Sequence, residues 1–75
     1  MTEVEIEYCV PCGHLDRAID VQRALLSTLG EQLDAVTLRT GRNGVFRVTV
    51  DGDVIYDTGD AFDIDDIIRN VRARI

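Results

Sequence analysis

The chain has 75 residues, 45% of them apolar, so we expect one domain spanning residues 1–75 and exclude a large multi-site enzyme. Its 14 acidic and 8 basic residues give a net charge of −6, which repels phosphate backbones, so we expect no nucleic-acid partner. All eight basic residues are arginine, and such an acidic, lysine-free composition is typical of proteins kept soluble in high salt, so we expect a halophilic source.

No apolar run approaches the roughly 18 residues of a membrane span, so we expect no membrane partner. The chain opens with Met1-Thr2-Glu3, which places an acid where a signal peptide carries basic residues. Two cysteines three residues apart are also too few for a disulfide scaffold. These features predict a soluble protein of the cytoplasm.

The first predicted strand covers residues 3–8, in which Val4, Ile6 and Tyr8 alternate with glutamates. A period of two is typical of a strand with one buried and one solvated face. We therefore expect the glutamates of this strand to face water.

A helix of about four turns is predicted after residues 9–12, because apolar residues recur there at helical spacing. Those residues are Leu15, Ala18, Ile19, Leu25, Leu26 and Leu29. Gly30 is expected to end this helix. A second strand at residues 34–39 and a loop at residues 40–44 follow.

The remaining segments predict a β-hairpin and a second helix. Strands at residues 45–50 and 53–57 flank Asp51-Gly52, the residue pair favoured by a two-residue type I′ turn. Apolar residues then recur at helical spacing from Ile64 to Ile75, with Asp60 or Asp63 as the N-cap.

The element order β-α-β-β-β-α predicts an α/β fold. A strand, a helix and a strand in succession require a right-handed crossover and a parallel pair, and the hairpin adds two antiparallel strands. A parallel strand covered on both faces would be continuously apolar, which the first strand is not. We therefore expect a mixed four-stranded sheet with both helices on one face.

The Cys-x-x-Cys motif of Cys9 and Cys12 lies at the predicted junction of the first strand and the first helix. The unpaired N–H groups and the dipole of a helix N-terminus stabilise a thiolate, which lowers the pKa of a thiol placed there. We expect Cys9 to be this thiolate and at least partly exposed, with Cys12 one turn into the helix and Pro11 in its first turn. The arrangement favours thiol–disulfide exchange.

A metal site and inert structural cysteines are the alternatives. Cys9, Cys12 and His14 are residue types that zinc accepts, but a fourth ligand would have to be Asp16 or come from a second chain. Gly13 occupies the position of the histidine in a c-type haem motif, which excludes that motif. We interpret His14 as an exposed helix residue whose charge could stabilise a thiolate. No metal and no other cofactor is expected.

Four segments in fixed order carry a resemblance that covers nearly the whole chain: EYCVPCG at 7–13, GVFRV at 44–48, VDGDVIY at 50–56 and DDII at 65–68. With these segments the chain resembles the selenoprotein W-like, or Rdx, family of small thioredoxin-like proteins. The resemblance implies a thioredoxin-like fold with the first strand between the second and the third. It also implies a redox centre on Cys9 and Cys12.

Two departures from this family bear on the redox centre and on substrate docking. Members with selenium carry selenocysteine where this chain has Cys12, which makes Cys12 the competing candidate for the attacking group. The cis-proline of thioredoxins has no counterpart, because Pro11 is the only proline. We therefore expect substrate docking by Pro11 and by the backbone of Asn43, Gly44 and Val45, where glycine permits close approach.

Strand parity assigns further residues to the two faces of such a sheet. Val36 and Leu38 are expected in the buried layer with Phe46. Arg39 and Arg47 are then expected on the solvated face beside the glutamates, where each pair of opposite charges contributes about 0.2–1 kcal/mol.

These features together predict a small thiol–disulfide oxidoreductase in cell redox homeostasis. Its partner is a thiol or disulfide substrate, with glutathione and a protein as the two candidates. The alternative is a protein-interaction module without turnover, whose redox state acts as a switch. Nothing in the residues specifies an oligomeric state.

Overall fold

A computed structural model of the chain describes residues 2–58 and 61–75. In chain order the elements are β1 (Glu3–Cys9), α1 (Leu15–Leu29), a single 3-10 turn (Gly30–Gln32), β2 (Ala35–Gly41), β3 (Phe46–Val50), β4 (Asp53–Tyr56) and α2 (Ile64–Arg72). Among the described residues, no helix has both the length and the apolar character needed to cross a membrane.

The four strands form one mixed sheet in the order β2-β1-β3-β4. β1 runs parallel to β2 and antiparallel to β3, so it is central, as the resemblance implied. α1 forms the crossover between the parallel strands, and the hairpin of β3 and β4 extends the other side. The predicted α/β fold is confirmed.

The predicted burial of alternate strand residues is also confirmed. Val4, Ile6 and Tyr8 are buried, and they belong to one apolar cluster with residues of both helices. The buried helix residues are Ala18, Val21, Leu25 and Leu29 of α1 and Ile67 and Val71 of α2. Both helices therefore cover the same face of the sheet, as the alternation in β1 requires.

The opposite face of the sheet is polar and carries the predicted charge pairs. Nη1 of Arg39 lies 3.4 Å from Oε2 of Glu5, and Nη1 of Arg47 lies 3.7 Å from Oε1 of Glu7. Both arginines therefore lie beside the glutamates of β1, as strand parity predicted.

β2 differs from its prediction at both ends, because it begins at Ala35 and continues to Gly41. Thr40 and Gly41 belong to the loop predicted from the sequence, but in the structure they pair with Tyr8 and Cys9 of β1. The parallel ladder therefore overrides the local loop signal of Gly41. This longer strand reaches the end of β1 at the Cys-x-x-Cys motif.

The other boundaries differ by one to three residues. β3 begins at Phe46, β4 ends at Tyr56 and α2 ends at Arg72, each inside its predicted range. α1 ends at Leu29 as predicted, but Gly30 is right-handed with φ −56° and starts the 3-10 turn. The chain thus leaves α1 by tightening its last turn and not through a left-handed glycine.

Local capping and turn signals are confirmed where the structure describes them. Asp51 and Gly52 have φ values of 49° and 91°, which fits the predicted type I′ turn. The Asp63 carboxylate accepts a 2.9 Å hydrogen bond from the Asp65 backbone N–H, so Asp63 caps α2. Asp60, the other candidate cap, lies outside the described residues.

Candidate functional site

Cys9 and Cys12 are joined by a disulfide of 2.10 Å, and their Cα atoms are 5.3 Å apart. Cys9 is the last residue of the central strand β1, and Cys12 lies in the turn that leads to α1. The two sulfurs are therefore fixed at the end of the sheet where β1, β2 and the segment before β3 meet.

The turn between β1 and α1 corrects the predicted start of the helix. α1 begins at Leu15 with His14 as its N-cap residue, so Pro11 and Cys12 precede the helix. Gly13 has φ +78°, a left-handed conformation that interrupts any helix through the motif. The expectations that Cys12 lies one helical turn in and that Pro11 lies in the first turn are therefore wrong.

The two cysteines differ in their exposure to solvent. Cys9 is fully buried, with 0% of its surface accessible, whereas Cys12 is exposed. The expectation that Cys9 is partly exposed is therefore wrong. The cause is its place in the central strand, where its Cα pairs with Gly41 and its N–H donates to the Val45 carbonyl at 2.8 Å. A substrate approaching this disulfide reaches Cys12 first.

The segment between β2 and β3 crosses the end of β1 next to Cys9. Asn43 and Gly44 have φ values of 63° and 76°, and the Val45 N–H donates to the Arg42 carbonyl at 3.3 Å, so residues 42–45 form a tight turn. Of the three predicted docking residues in this segment, the structure brings Val45 to Cys9 through a backbone hydrogen bond.

The turn of residues 10–13, which carries Cys12, is called the redox turn below. An open depression of about 560 Å³ lies beside it on the β2 side. It is lined by Val10, Pro11, Thr40, Gly41 and Arg42. Of the predicted docking residues only Pro11 lines this depression.

Sequence reasoning missed the three lining residues from β2 and the following turn. The signal available for them was the Asn43-Gly44 turn, which shows where the chain reverses but not what lies beside it. Their place at the site depends on the long-range pairing of Cys9 with Gly41.

Aromatic and cationic groups lie at the start of α1. His14 is half-buried and not exposed as predicted, with its ring centroid 6.0 Å from that of Phe46. Its Nδ1 atom is buried and has no hydrogen-bond partner among the described residues. The Arg17 guanidinium lies 5.8 Å from the centre of Phe46 and 4.6 Å from that of Phe62. Phe46 is 2% exposed, which confirms it as a core residue.

Metal ligation is limited by the arrangement of the donors. Within residues 2–58 and 61–75, no three His, Cys, Asp or Glu side chains are grouped so that they could hold a metal ion. Both sulfurs of the motif are bonded to each other. The chemistry that this arrangement supports is therefore formation and reduction of one S–S bond.

The chain is similar to a known protein family and to proteins of solved structure. The model of the Rdx family matches residues 3–73. A protein of Bordetella parapertussis with a solved crystal structure is 32% identical, with a TM-score of 0.93 over 99% of this chain and 98% of that chain. A selenoprotein W-related protein from Vibrio cholerae is 25% identical, with a TM-score of 0.91 over 97% and 95% of the two chains.

A more distant likeness concerns the fold alone. A thioredoxin-like protein from Bacillus cereus is 12% identical, and it superimposes with a TM-score of 0.64 over 99% of this chain and 88% of that chain. No curated protein matches the sequence. The thioredoxin-like arrangement of the sheet is thus shared with solved structures.

Proposed function

Because the chain belongs to the Rdx family, we propose that it is a small thiol–disulfide oxidoreductase whose redox centre is the pair Cys9 and Cys12. The observation that carries the proposal is a disulfide between one buried and one exposed cysteine at the end of the central strand. The loop that this bond closes is short, so the bond can open and close with little movement of the backbone.

The exposure of the two residues supports an order of attack opposite to the one expected from the sequence. Cys12 is open to a substrate, and Cys9 is covered on both sides by neighbouring chain. Cys12 also occupies the position of selenocysteine in the selenium-containing members of the Rdx family. The positive end of α1, which starts three residues after Cys12, favours the thiolate form in this turn.

The exchange proceeds in two steps that conserve atoms and electrons. The Cys12 thiolate attacks one sulfur of a substrate disulfide, so that the substrate S–S bond breaks, one substrate thiolate leaves and a mixed disulfide forms. Cys9 then loses its proton to solvent and attacks the Cys12 sulfur, which releases the second substrate thiolate and forms the Cys9–Cys12 bond. Two electrons have passed from the protein dithiol to the substrate.

The proposed substrates are glutathione disulfide or a disulfide of a protein, and a thiol reductant restores the dithiol by the same steps in reverse. Reduction of the Cys9–Cys12 disulfide by a thiol reductant is favoured in a reducing compartment, so the cytoplasm is the proposed location. The proposed partners of the exchange belong to one chemical class, that of thiols and disulfides.

The test is a redox titration followed by thiol trapping and mass spectrometry, together with the variants Cys9→Ser and Cys12→Ser. We expect one reversible intramolecular disulfide at a cytosolic potential. We also expect Cys9→Ser to accumulate a mixed disulfide on Cys12, because the resolving thiol is absent. Trapping only in Cys12→Ser would reverse the roles. A reversible bond without turnover of any disulfide would support the redox-switched interaction module instead.

A further inference from the structure

The depression beside the redox turn is bounded on one side by an edge strand. β2 is the outermost strand of the sheet, and its last residues Thr40 and Gly41 form one wall of the depression. Val10 and Pro11 of the redox turn form the opposite wall. A chain lying along the end of β2 would therefore pass close to Val10 and Pro11, the residues that precede Cys12 in the redox turn.

The hydrogen bonds show which residues of β2 direct their backbone groups outward. The Gly41 carbonyl accepts a hydrogen bond from the Val10 N–H at 3.2 Å, so the backbone groups of Gly41 point toward β1. In a parallel pair, the backbone N–H and C=O groups of every second residue point toward the partner strand. The backbone groups of the residues between them therefore point away from it. The Val36 carbonyl confirms this alternation, because it accepts from the Gln22 side chain of α1 at 2.8 Å and not from β1.

The same alternation places the N–H and C=O groups of Leu38 and Thr40 on the outer edge. Gln22 covers that edge at Val36, but among the described residues no hydrogen bond covers it at Leu38 or Thr40. Unpaired edge groups of this kind are a template for strand addition. The open part of the edge is thus the part that borders the redox turn.

The charge at the depression differs from that of the chain as a whole. The chain carries a net charge of −6, yet the single charged residue lining the depression is Arg42. Arg42 is exposed and makes no ion pair with any residue that the structure describes. A cation without a partner beside an apolar wall favours a ligand with a carboxylate.

We propose that the depression binds an extended segment of a disulfide-bearing protein, which adds as a strand to β2 at Leu38 and Thr40 and places an acidic side chain on Arg42. The segment's own cysteine then lies at Cys12. This inference rests on the proposed function, because it names the substrate class of that redox centre. It also moves docking from the predicted Asn43–Val45 side of the motif to the β2 side.

The test uses two short synthetic peptides that differ only in a Glu or a Lys near a single cysteine. Each cysteine carries a thiopyridyl mixed disulfide, so attack by the reduced protein forms a peptide–Cys12 disulfide and releases a chromogenic thiopyridone. The thiopyridyl disulfide of mercaptoethanol is the uncharged small probe. We expect the Glu peptide to react about two- to fivefold faster than the Lys peptide at low salt.

Charge-reversal variants identify the residue responsible for this preference. In Arg42→Glu the two peptides should react at equal rates, or the Lys peptide should react faster. The reaction rate of the mercaptoethanol probe should stay unchanged. Arg23→Glu is the matched control, because it makes the same change of net charge at an exposed site on α1 outside the depression. Equal rates for the two peptides, or an unchanged ratio in Arg42→Glu, would overturn the role of Arg42.

Strand addition has its own readouts. Thr40→Pro removes one outward N–H without loss of a ladder bond, so it should slow both peptides and spare the small probe. In the unaltered oxidised protein, a peptide with Ser in place of Cys should protect the Leu38 and Thr40 amides from hydrogen exchange. Binding without that protection contradicts strand addition.

The remaining outcomes separate this inference from the proposed function. If the reduced protein does not react with the small probe, the proposed function fails, while peptide binding to the oxidised protein still tests the docking site. If sedimentation shows a dimer that Thr40→Pro dissociates, the edge of β2 is occupied by a second copy and the peptide proposal is wrong. If a small acidic disulfide shows the full charge preference and peptides gain nothing, the site selects small thiols.

Discussion

Glu7 and Arg47 lie directly opposite each other in the antiparallel pair of β1 and β3, with Oε1 and Nη1 3.7 Å apart. Nε of the same arginine lies 3.5 Å from Oδ1 of Asp57. One guanidinium is therefore shared between two carboxylates on the polar face of the sheet. Because all three side chains are partly solvated, the arginine offsets repulsion between acids more than it drives folding.

Arg47→Glu should lower the free energy of unfolding by about 1–2 kcal/mol at low salt. The substitution removes two attractive pairs and places a third carboxylate beside Glu7 and Asp57. Molar salt should reduce the difference, because it screens exposed charges. Urea unfolding at the two salt concentrations measures both effects, and the rate of disulfide exchange should be retained.

Arg39→Glu is the control for this prediction. Among the described residues, Arg39 forms an ion pair with Glu5 alone, and it is more exposed than Arg47, with 65% of its side chain accessible against 41%. Arg39→Glu should therefore lower the free energy of unfolding less than Arg47→Glu does. A loss for Arg47→Glu that is as large in molar salt as in low salt would show that packing and not charge is responsible.

The placement of Glu7 and Arg47 on the same polar face could be predicted from the sequence, because the face of a strand residue depends on local periodicity. Strand parity gives the face of each residue, and Asp51-Gly52 fixes the turn of the hairpin. The buried layer follows from the same period of two. For this reason the two faces and both helices agree with expectation, whereas the sheet order was implied by the resemblance to the Rdx family.

The details of the redox turn could not be predicted in the same way. Residues 9–14 carry no apolar period, so the pattern does not show that the helix starts at Leu15. The left-handed Gly13 decides this boundary. The burial of Cys9 and the depression at Thr40 depend on pairing between segments far apart in the chain, which local signals do not report.

Gly41→Ala tests the close approach at the end of β2. A Cβ atom there would lie 2.6 Å from Cγ1 of Val45 and 3.0 Å from Oε2 of Glu7. Val45 also holds Cys9 through its carbonyl, so it cannot move freely. We expect a loss of about 1–3 kcal/mol in the free energy of unfolding, measured by urea denaturation.

Gly30→Ala is the matched glycine control. Nothing lies within 4 Å of a Cβ atom at this position, and Gly30 has right-handed helical angles. Alanine should therefore stabilise the protein by about 0.4–1 kcal/mol, because it restricts the unfolded chain. The two substitutions are expected to change stability in opposite directions, and a neutral Gly41→Ala would mean that Val45 moves aside without loss.

Asp63→Ala tests the cap of α2. The substitution leaves the Asp65 backbone N–H without its acceptor at the start of the helix. We expect a loss of about 1 kcal/mol, seen as a lower midpoint of urea unfolding. Asp63→Asn keeps a side-chain oxygen acceptor and should retain most of the stability. If Asn loses as much as Ala, the charge and not the hydrogen bond stabilises this end of α2.

Alkylation of the reduced protein tests the order of the two cysteines directly. Cys12 is exposed in the turn, whereas reaction at Cys9 requires local opening of the segment that covers it. Iodoacetamide should therefore modify Cys12 first, with Cys9 slower by about tenfold or more at neutral pH. Peptide mapping by mass spectrometry over time gives the two rates.

The single-cysteine variants provide the controls for this measurement. Cys9→Ser should keep the fast rate of Cys12, and Cys12→Ser should keep the slow rate of Cys9, because burial is a property of each position. In urea the two thiols should react at similar rates, since unfolding removes the difference in exposure. A faster rate at Cys9 in the folded protein would mean that the end of β1 opens when the disulfide is reduced. In that case Cys9, as first expected from the sequence, would be the attacking thiolate.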